Sequence, residues 1–325
     1  METRPRLTPP IANVRRAIRE TFESEELAGA KSVLLAVSGG PDSMALALGA
    51  NFELPKLGIQ VFAAVVNHNL QPGSEAVALA TIERLSAMGI DGKVLDIKVP
   101  KRGAGPEAEA REARYSALEK QRVEVGADFV VTGHNLDDQA ETVLLGLTRG
   151  SGLRSIAGMK AVDGKLVRPL LGIEKAELTQ ACIDSGVEYW LDPHNQDPAF
   201  TRVRIRNLMQ QIEAELGPGV NESLARTASL ASEVDDFLTT AALELVERAR
   251  VGEGFEVKEL AASHPAVRNK ALQLICIESG ASSISRTQVL GVAQLITNWH
   301  GQKPLSLSGI TVERVREQIL FRQSS

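Results

Sequence analysis

The chain has 325 residues, 43% hydrophobic and 24% charged, with a formal net charge of −5, the make-up of a globular protein long enough for two domains. No stretch approaches the roughly 18 consecutive apolar residues of a membrane span, and the polar, Pro-rich start (Met1 to Pro10) does not read as a secretion signal. Cys182 and Cys276 stand alone with no C-x-x-C pair, which argues against a cysteine-held zinc or iron–sulfur site and for a cytoplasmic protein.

In chain order, residues 10–28 pattern as an amphipathic helix with Ile11, Val14, Ile18 and Phe22 on one face. Val33 to Val37 is a compact apolar strand that runs into Ser38-Gly39-Gly40-Pro41-Asp42-Ser43, and an apolar helix candidate begins at Ser43. Strands follow at 59–66, 93–99 and 128–132, alternating with helices at 73–88, 106–125 and 137–147. Such alternation predicts an α/β fold with a doubly wound parallel sheet, in which ligands sit beyond the carboxyl ends of the strands. Three polar strand ends converge there: Ser38 to Asp42, Asn67-His68 and Gly133-His134. The chain then reads as loop-rich to about Arg168-Pro169, helical over 174–185 and 201–216, and turn-rich between. Gly217-Pro218-Gly219 marks a boundary between a larger α/β domain (1–217) and a smaller, mainly helical domain (218–325) with a β-rich end.

The net acidity is unevenly spread. Residues 213–260 carry a balance of −7, whereas 143–170 carry +4 and 265–325 carry +4. Charge is felt locally at a Debye length near 10 Å, so these basic stretches leave RNA open as a partner.

The strand, glycine-paired turn and helix start over residues 33–43 describe a phosphate loop. Gly39 and Gly40 let backbone N–H groups converge on an anion, and the helix N-terminus favours negative charge at the same place. No Lys follows Gly40, which excludes a Walker A loop, and no third glycine opens the helix, which excludes a dinucleotide loop. The stretch resembles the PP-loop, S-G-G-x-D-S, of the N-type ATP pyrophosphatases, which cleave ATP between the α- and β-phosphates. The resemblance implies that Ser38, Gly39, Gly40, Pro41 and Ser43 contact ATP and that Asp42 holds Mg²⁺, with Asn67, His68 and Gly133 completing the nucleotide site.

A second motif is more selective. Thr132 to Leu147 places Asp137, Asp138 and Glu141 at one helix start, with Glu141 on the same side as Asp138. Asp137 or Asp138 is expected to cap that helix, while the second carboxylate suits Mg²⁺ or a substrate ammonium. With Arg149-Gly150-Ser151-Gly152 and Gly158-Met159, the segment is similar to the H-x-x-D-D-Q-A-E-T…R-G-S-G…G-M run of the tRNA(Ile)-lysidine synthase family. Ala110-Arg111-Glu112-Ala113-Arg114-Tyr115 and Arg168-Pro169-Leu170-Leu171 match it too, as do Asp192-Pro193-His194-Asn195, Asp197 and the run from Phe200 to Arg206.

That resemblance implies ATP-dependent attachment of free L-lysine to C2 of the wobble cytidine in the CAU anticodon of tRNA(Ile). It implies Asp42, Arg114, Asp138 and Glu141 as catalytic residues, Arg111 as a further phosphate clamp, and Asp138 and Glu141 as the lysine site. Arg149, Arg202, Arg204 and Arg206 are expected toward the tRNA. Gln71 stands where the family commonly has Arg, which removes one expected phosphate contact. No membrane partner is expected, and a homodimer is left open. The alternatives are another PP-loop enzyme acting on tRNA or a nucleotide, such as a thiolase, and a tRNA-binding protein with a vestigial ATP site. The thiolase reading needs cysteines that this chain does not group.

Overall fold

Residues 7–68, 73–99, 103, 105–150, 152–191 and 201–323 are described by a computed structural model, with backbone alone at Pro106, Glu107, Arg149, Thr201 and Arg202. The helix α1 (Pro9–Phe22) precedes β1 (Ser32–Ala36), α2 (Pro41–Glu53), β2 (Gln60–Asn67), α3 (Ser74–Ala87), β3 (Asp91–Asp96), α4 (Pro106–Glu124), β4 (Phe129–Thr132) and α5 (Leu136–Arg149). Next come α6 (Leu153–Ile156), the short strands β5 (Val162–Asp163) and β6 (Leu166–Val167), α7 (Lys175–Asp184), α8 (Thr201–Leu216) and the long α9 (Val220–Ala249).

The first sheet has the order β3-β2-β1-β4-β6-β5. All its pairings are parallel except β5 with β6. The central strand is buried on both faces, as parallel sheets require. Val33 and Leu35 pack with Ile18 of α1, Met44 of α2 and Leu178 of α7, whereas Leu34 points the other way into a cluster with Leu118 of α4 and Val130. This continuous apolar run is what made β1 legible as a strand.

Two local differences from the sequence reading bear on the site. The helix after β1 starts at Pro41, not Ser43, because Gly40 takes the extended N-cap conformation (φ −73°, ψ 162°) and Pro41 fits the first helical position. Asp42 and Ser43 therefore lie in its first turn. The stretch read as loop contains α6 and the β5–β6 hairpin, whose two-residue strands are too short for period-two patterning to reveal.

Met1–Arg149 with Gly158–Ala228 forms one compact unit; Gly150–Ala157 with Ser229–Ser325 forms the other, so the division falls inside α9. The second unit adds β7 (Arg250–Val251), β8 (Gly254–Glu256), α10 (Val257–Ala262), α11 (Pro265–Glu278), α12 (Arg286–Thr297), β9 (Leu305–Leu307), β10 (Ile310–Val315) and β11 (Gln318–Gln323). Its strands form an antiparallel sheet in the order β7-β8-β11-β10-β9. Leu260, Leu272, Ile275, Val292, Val312 and Ile319 are fully buried in its core. Beyond the expected helices and β-rich end, it gains the β7–β8 hairpin and the short helix α10. No helix among the described residues is long and apolar enough to cross a membrane.

Candidate active site

The phosphate loop is held by its own side chains. Ser38 N–H donates to Ser43 Oγ at 3.1 Å, the two hydroxyls lie 3.2 Å apart, and Ser43 Oγ donates to the Gly40 carbonyl at 3.0 Å. Gly39 takes φ +83°, a left-handed conformation that glycine reaches without strain, and a Cβ there would stand 2.5 Å from Thr81 Oγ1. The Trp190 N–H ties down its carbonyl at 2.8 Å. The first amides of α2, which have no intrahelical acceptors, thus open onto a rigid cup suited to phosphate.

Asp42 stands in that first turn. Burial pushes its carboxyl up to about 6; Lys175 pulls it back, Asp138 raises it, and a hydrogen bond from Asn135 and the charge of Arg206 lower it. Its Oδ1 is buried with no hydrogen-bond partner among the described residues. Gly133 allows this packing, since a Cβ there would meet the Asp42 carbonyl oxygen at 2.9 Å. Beneath the loop, the Cys182 thiol donates to the Pro41 carbonyl at 3.3 Å. Burial pushes Cys182 and Cys276 up to about 12, so neither supplies a thiolate at neutral pH.

At the start of α5 the cap is Asn135, not an aspartate. Its Oδ1 accepts the Asp138 N–H at 3.0 Å, and Asp138 Oδ2 accepts the Asn135 N–H at 3.1 Å, a reciprocal box. Asn135 is 1% exposed and joins this cap to Asp42. Asp137 caps a different helix: it accepts the Lys175 N–H at the start of α7, while burial raises its pKa. Gln139 pairs with the Met159 backbone in both directions, at 3.0 and 2.8 Å, which explains why the Gly158-Met159 motif accompanies it. Glu141, 5% exposed, accepts Arg206 Nε of α8 at 3.0 Å. Burial alone would lower the Arg206 pKa, but Glu141, Asp138 and Asp42 outweigh it and raise it.

These side chains border a cavity of about 320 Å³ lined by Asp137, Glu141, Lys175, Arg206, Glu213 and Asn221 among others. Its walls carry carboxylates and cations together, which suits a ligand bearing both charges. The Asn221 Oδ1 is buried there with no partner among the described residues.

The remaining candidates are distributed around this centre. The buried Asn67 donates to Asp96 Oδ1 at 2.9 Å and so links β2 to β3. His68 Nδ1 is buried with no hydrogen-bond partner among the described residues, and burial, aided by Arg114, lowers its pKa. Arg111 and Arg114 flank the Tyr115 ring at 5.0 and 5.4 Å. Arg204 is exposed on α8, whereas Arg206, expected toward tRNA, turns inward to Glu141. The side chains of Arg149 and Arg202, and all of Gln71, Asp192-Pro193-His194-Asn195, Asp197 and Phe200, lie outside the described residues. Sequence reading missed Asn135, Lys175 and Asn221 as site residues. Asn135 competes with Asp137 and Asp138 as a cap, so sequence alone does not single it out; the other two reach the site from distant helices.

A PP-loop domain family matches residues 10–212, and a TilS substrate binding domain family matches residues 255–320. The tRNA(Ile)-lysidine synthase of Leifsonia xyli is 47% identical over 302 residues, covering 91% of each chain. That of Rhodococcus erythropolis is 43% identical, covering 94% of this chain and 92% of its own. Among solved structures, the U34-tRNA thiolase NcsA of Methanococcus maripaludis superposes with a TM-score of 0.58 at 21% identity, covering 69% of this chain and 80% of its own, a likeness of fold. With its PP-loop at the head of α2 and its capped carboxylates on α5, the chain belongs to the tRNA(Ile)-lysidine synthase family.

Proposed function

We propose that this chain joins free L-lysine to C2 of the wobble cytidine in the CAU anticodon of tRNA(Ile). ATP adenylates the cytosine O2 with loss of pyrophosphate; the lysine ε-amine then attacks C2, and AMP leaves with the O2 oxygen. The observation that carries the reading is the contiguity of two sites. Asp42 of the phosphate loop shares Lys175 and Arg206 with the mixed-charge cavity beside it, so the activating and amine-bearing substrates meet at one place.

Each residue has a role in this scheme. Ser38, Gly39, Gly40 and the first turn of α2 bind the departing pyrophosphate. Asp42 is the candidate Mg²⁺ ligand, since its buried Oδ1 lacks a partner among the described residues. No cluster of three or more His, Cys, Asp or Glu could hold a metal among the described residues, but Mg²⁺ typically takes one or two carboxylates plus substrate phosphates. When bound, it neutralises charge on the leaving pyrophosphate. Asp138 and Glu141 receive the lysine ammonium and accept the proton that must leave before the amine can attack. Arg206 fixes Glu141, and Lys175 offers a cation to the lysine carboxylate. Arg114 stabilises charge on the reacting phosphate. Arg149, Arg202 and Arg204, with the second unit, contact tRNA in a cytoplasmic setting.

The test is incubation of the purified chain with ATP, Mg²⁺, labelled lysine and the CAU isoleucine tRNA transcript. Lysine-labelled tRNA with stoichiometric AMP and pyrophosphate is expected. An unlabelled tRNA that instead takes up sulfur or another amine would sink the reading.

A further inference from the structure

Away from the phosphate loop, three buried polar atoms without partners share one place. Arg111 Nη1, Tyr115 Oη and Arg168 Nε are each buried and each lacks a hydrogen-bond partner among the described residues. Arg111 lies 5.0 Å from the Tyr115 ring, and both residues are near enough to Arg168 to interact with it electrostatically. Arg168 is 5% exposed. The Lys160 carbonyl accepts one edge of its guanidinium at 2.7 Å, while the exposed Asp163 is more distant at 3.7 Å.

The topology puts this cluster on the reaction edge. Arg168 directly follows β6, which runs parallel to β4, so it emerges at the carboxyl end of the sheet. Arg111 and Tyr115 lie in the second and third turns of α4, in the N-terminal half of the helix that follows β3 and so starts at that same edge. An unsatisfied buried donor costs about 1–3 kcal/mol, more when charged. Three together, two of them cationic and unable to accept a hydrogen bond, call for an anion.

We propose that Arg111, Tyr115 and Arg168 form a second oxyanion site, separate from the phosphate loop, that holds a phosphate group of a reacting substrate. The proposal rests on the reaction assigned above and adds Tyr115 and Arg168 to its binding residues. Two sources present that chemistry at this edge: a phosphodiester of the RNA strand, and the phosphates of ATP.

Full-length Tyr115→Phe and Arg168→Gln chains are compared with wild type for affinity to Mg·ATP by equilibrium dialysis and to the CAU tRNA transcript by filter binding across salt. If RNA supplies the phosphate, Arg168→Gln weakens tRNA about tenfold and lowers the slope of log affinity against log salt by about 0.7, with ATP unchanged. If ATP supplies it, nucleotide affinity falls similarly in the absence of tRNA. Unchanged affinity for both substrates in folded variants overturns the proposal. Should Arg168→Gln fail to fold, Tyr115→Phe and Arg111→Gln carry the same test. A wild-type chain that transfers no lysine, while the variants still lose phosphate binding, would refute the reaction and leave this site standing.

Discussion

Arg206 of α8 donates to Glu141 of α5 across 65 residues of sequence at 3.0 Å, with Glu141 almost wholly buried. This pair joins the family's D-D-Q-A-E-T helix to its R-x-x-I-R helix at the wall of the cavity. Breaking a buried pair leaves an uncompensated charge, which costs about 3–5 kcal/mol when burial is complete; Arg206 is partly exposed, so a smaller loss is expected. Arg206→Met should cost on the order of 2 kcal/mol by denaturant melts and raise the KM for lysine. Glu141→Gln with Arg206→Met should regain stability but not lysine use. Recovery of lysine kinetics in the double variant would show the pair to be structural only.

Asp42 sets a pH dependence. Its folded pKa of about 6 lies above the ordinary 3.8, so ionising it opposes folding. Its contribution to stability is full below about pH 4 and is lost as pH rises through about 6. Without nucleotide or divalent ion, Asp42→Asn should be more stable than wild type at pH 8, by on the order of 3 kcal/mol, and equal to it at pH 4. The same variant should release no pyrophosphate. An equal stability difference at both pH values would count against the shift.

Gly133 is a steric requirement. Its missing Cβ leaves room for the Asp42 carbonyl at 2.9 Å, and backbone atoms cannot rotate away as a side-chain tip can. Gly133→Ala should cost about 1–3 kcal/mol and weaken ATP binding by displacing the start of α2. Gly172→Ala, with no heavy atom within 4 Å, serves as the control. Normal ATP affinity in Gly133→Ala would exclude this displacement.

Gln139 holds a loop through two hydrogen bonds to the Met159 backbone. Gln139→Leu should leave both backbone groups unpaired and lower stability by about 2–3 kcal/mol. Amide exchange should accelerate most at Met159, which donates to Gln139. Unchanged protection there would mean that other contacts hold the segment.

Much of the catalytic domain was open to reading because its signals are local. An apolar run, a pair of glycines and a proline specify a strand, a turn and a helix start within a dozen residues, and the helices at 201–216 and 106–125 were bounded closely for the same reason. Short hairpins such as Val162–Val167 carry too few residues for periodicity and were taken for loop. Capping was harder, since Asp137, Asp138 and Asn135 are all good caps and only backbone geometry selects Asn135.

The sequence by itself determined the chemistry brought to the sheet edge: a phosphate loop with its Asp42, and Asp138 and Glu141 one helix away. Only the tertiary structure decided what those groups face. Arg206 turns to Glu141 instead of outward, Asp137 anchors α7, Lys175 comes within reach of Asp42, and Arg168 joins Arg111 and Tyr115. Which charges become neighbours depends on how distant helices pack over the sheet, and burial there sets their ionisation; neither follows from spacing along the chain.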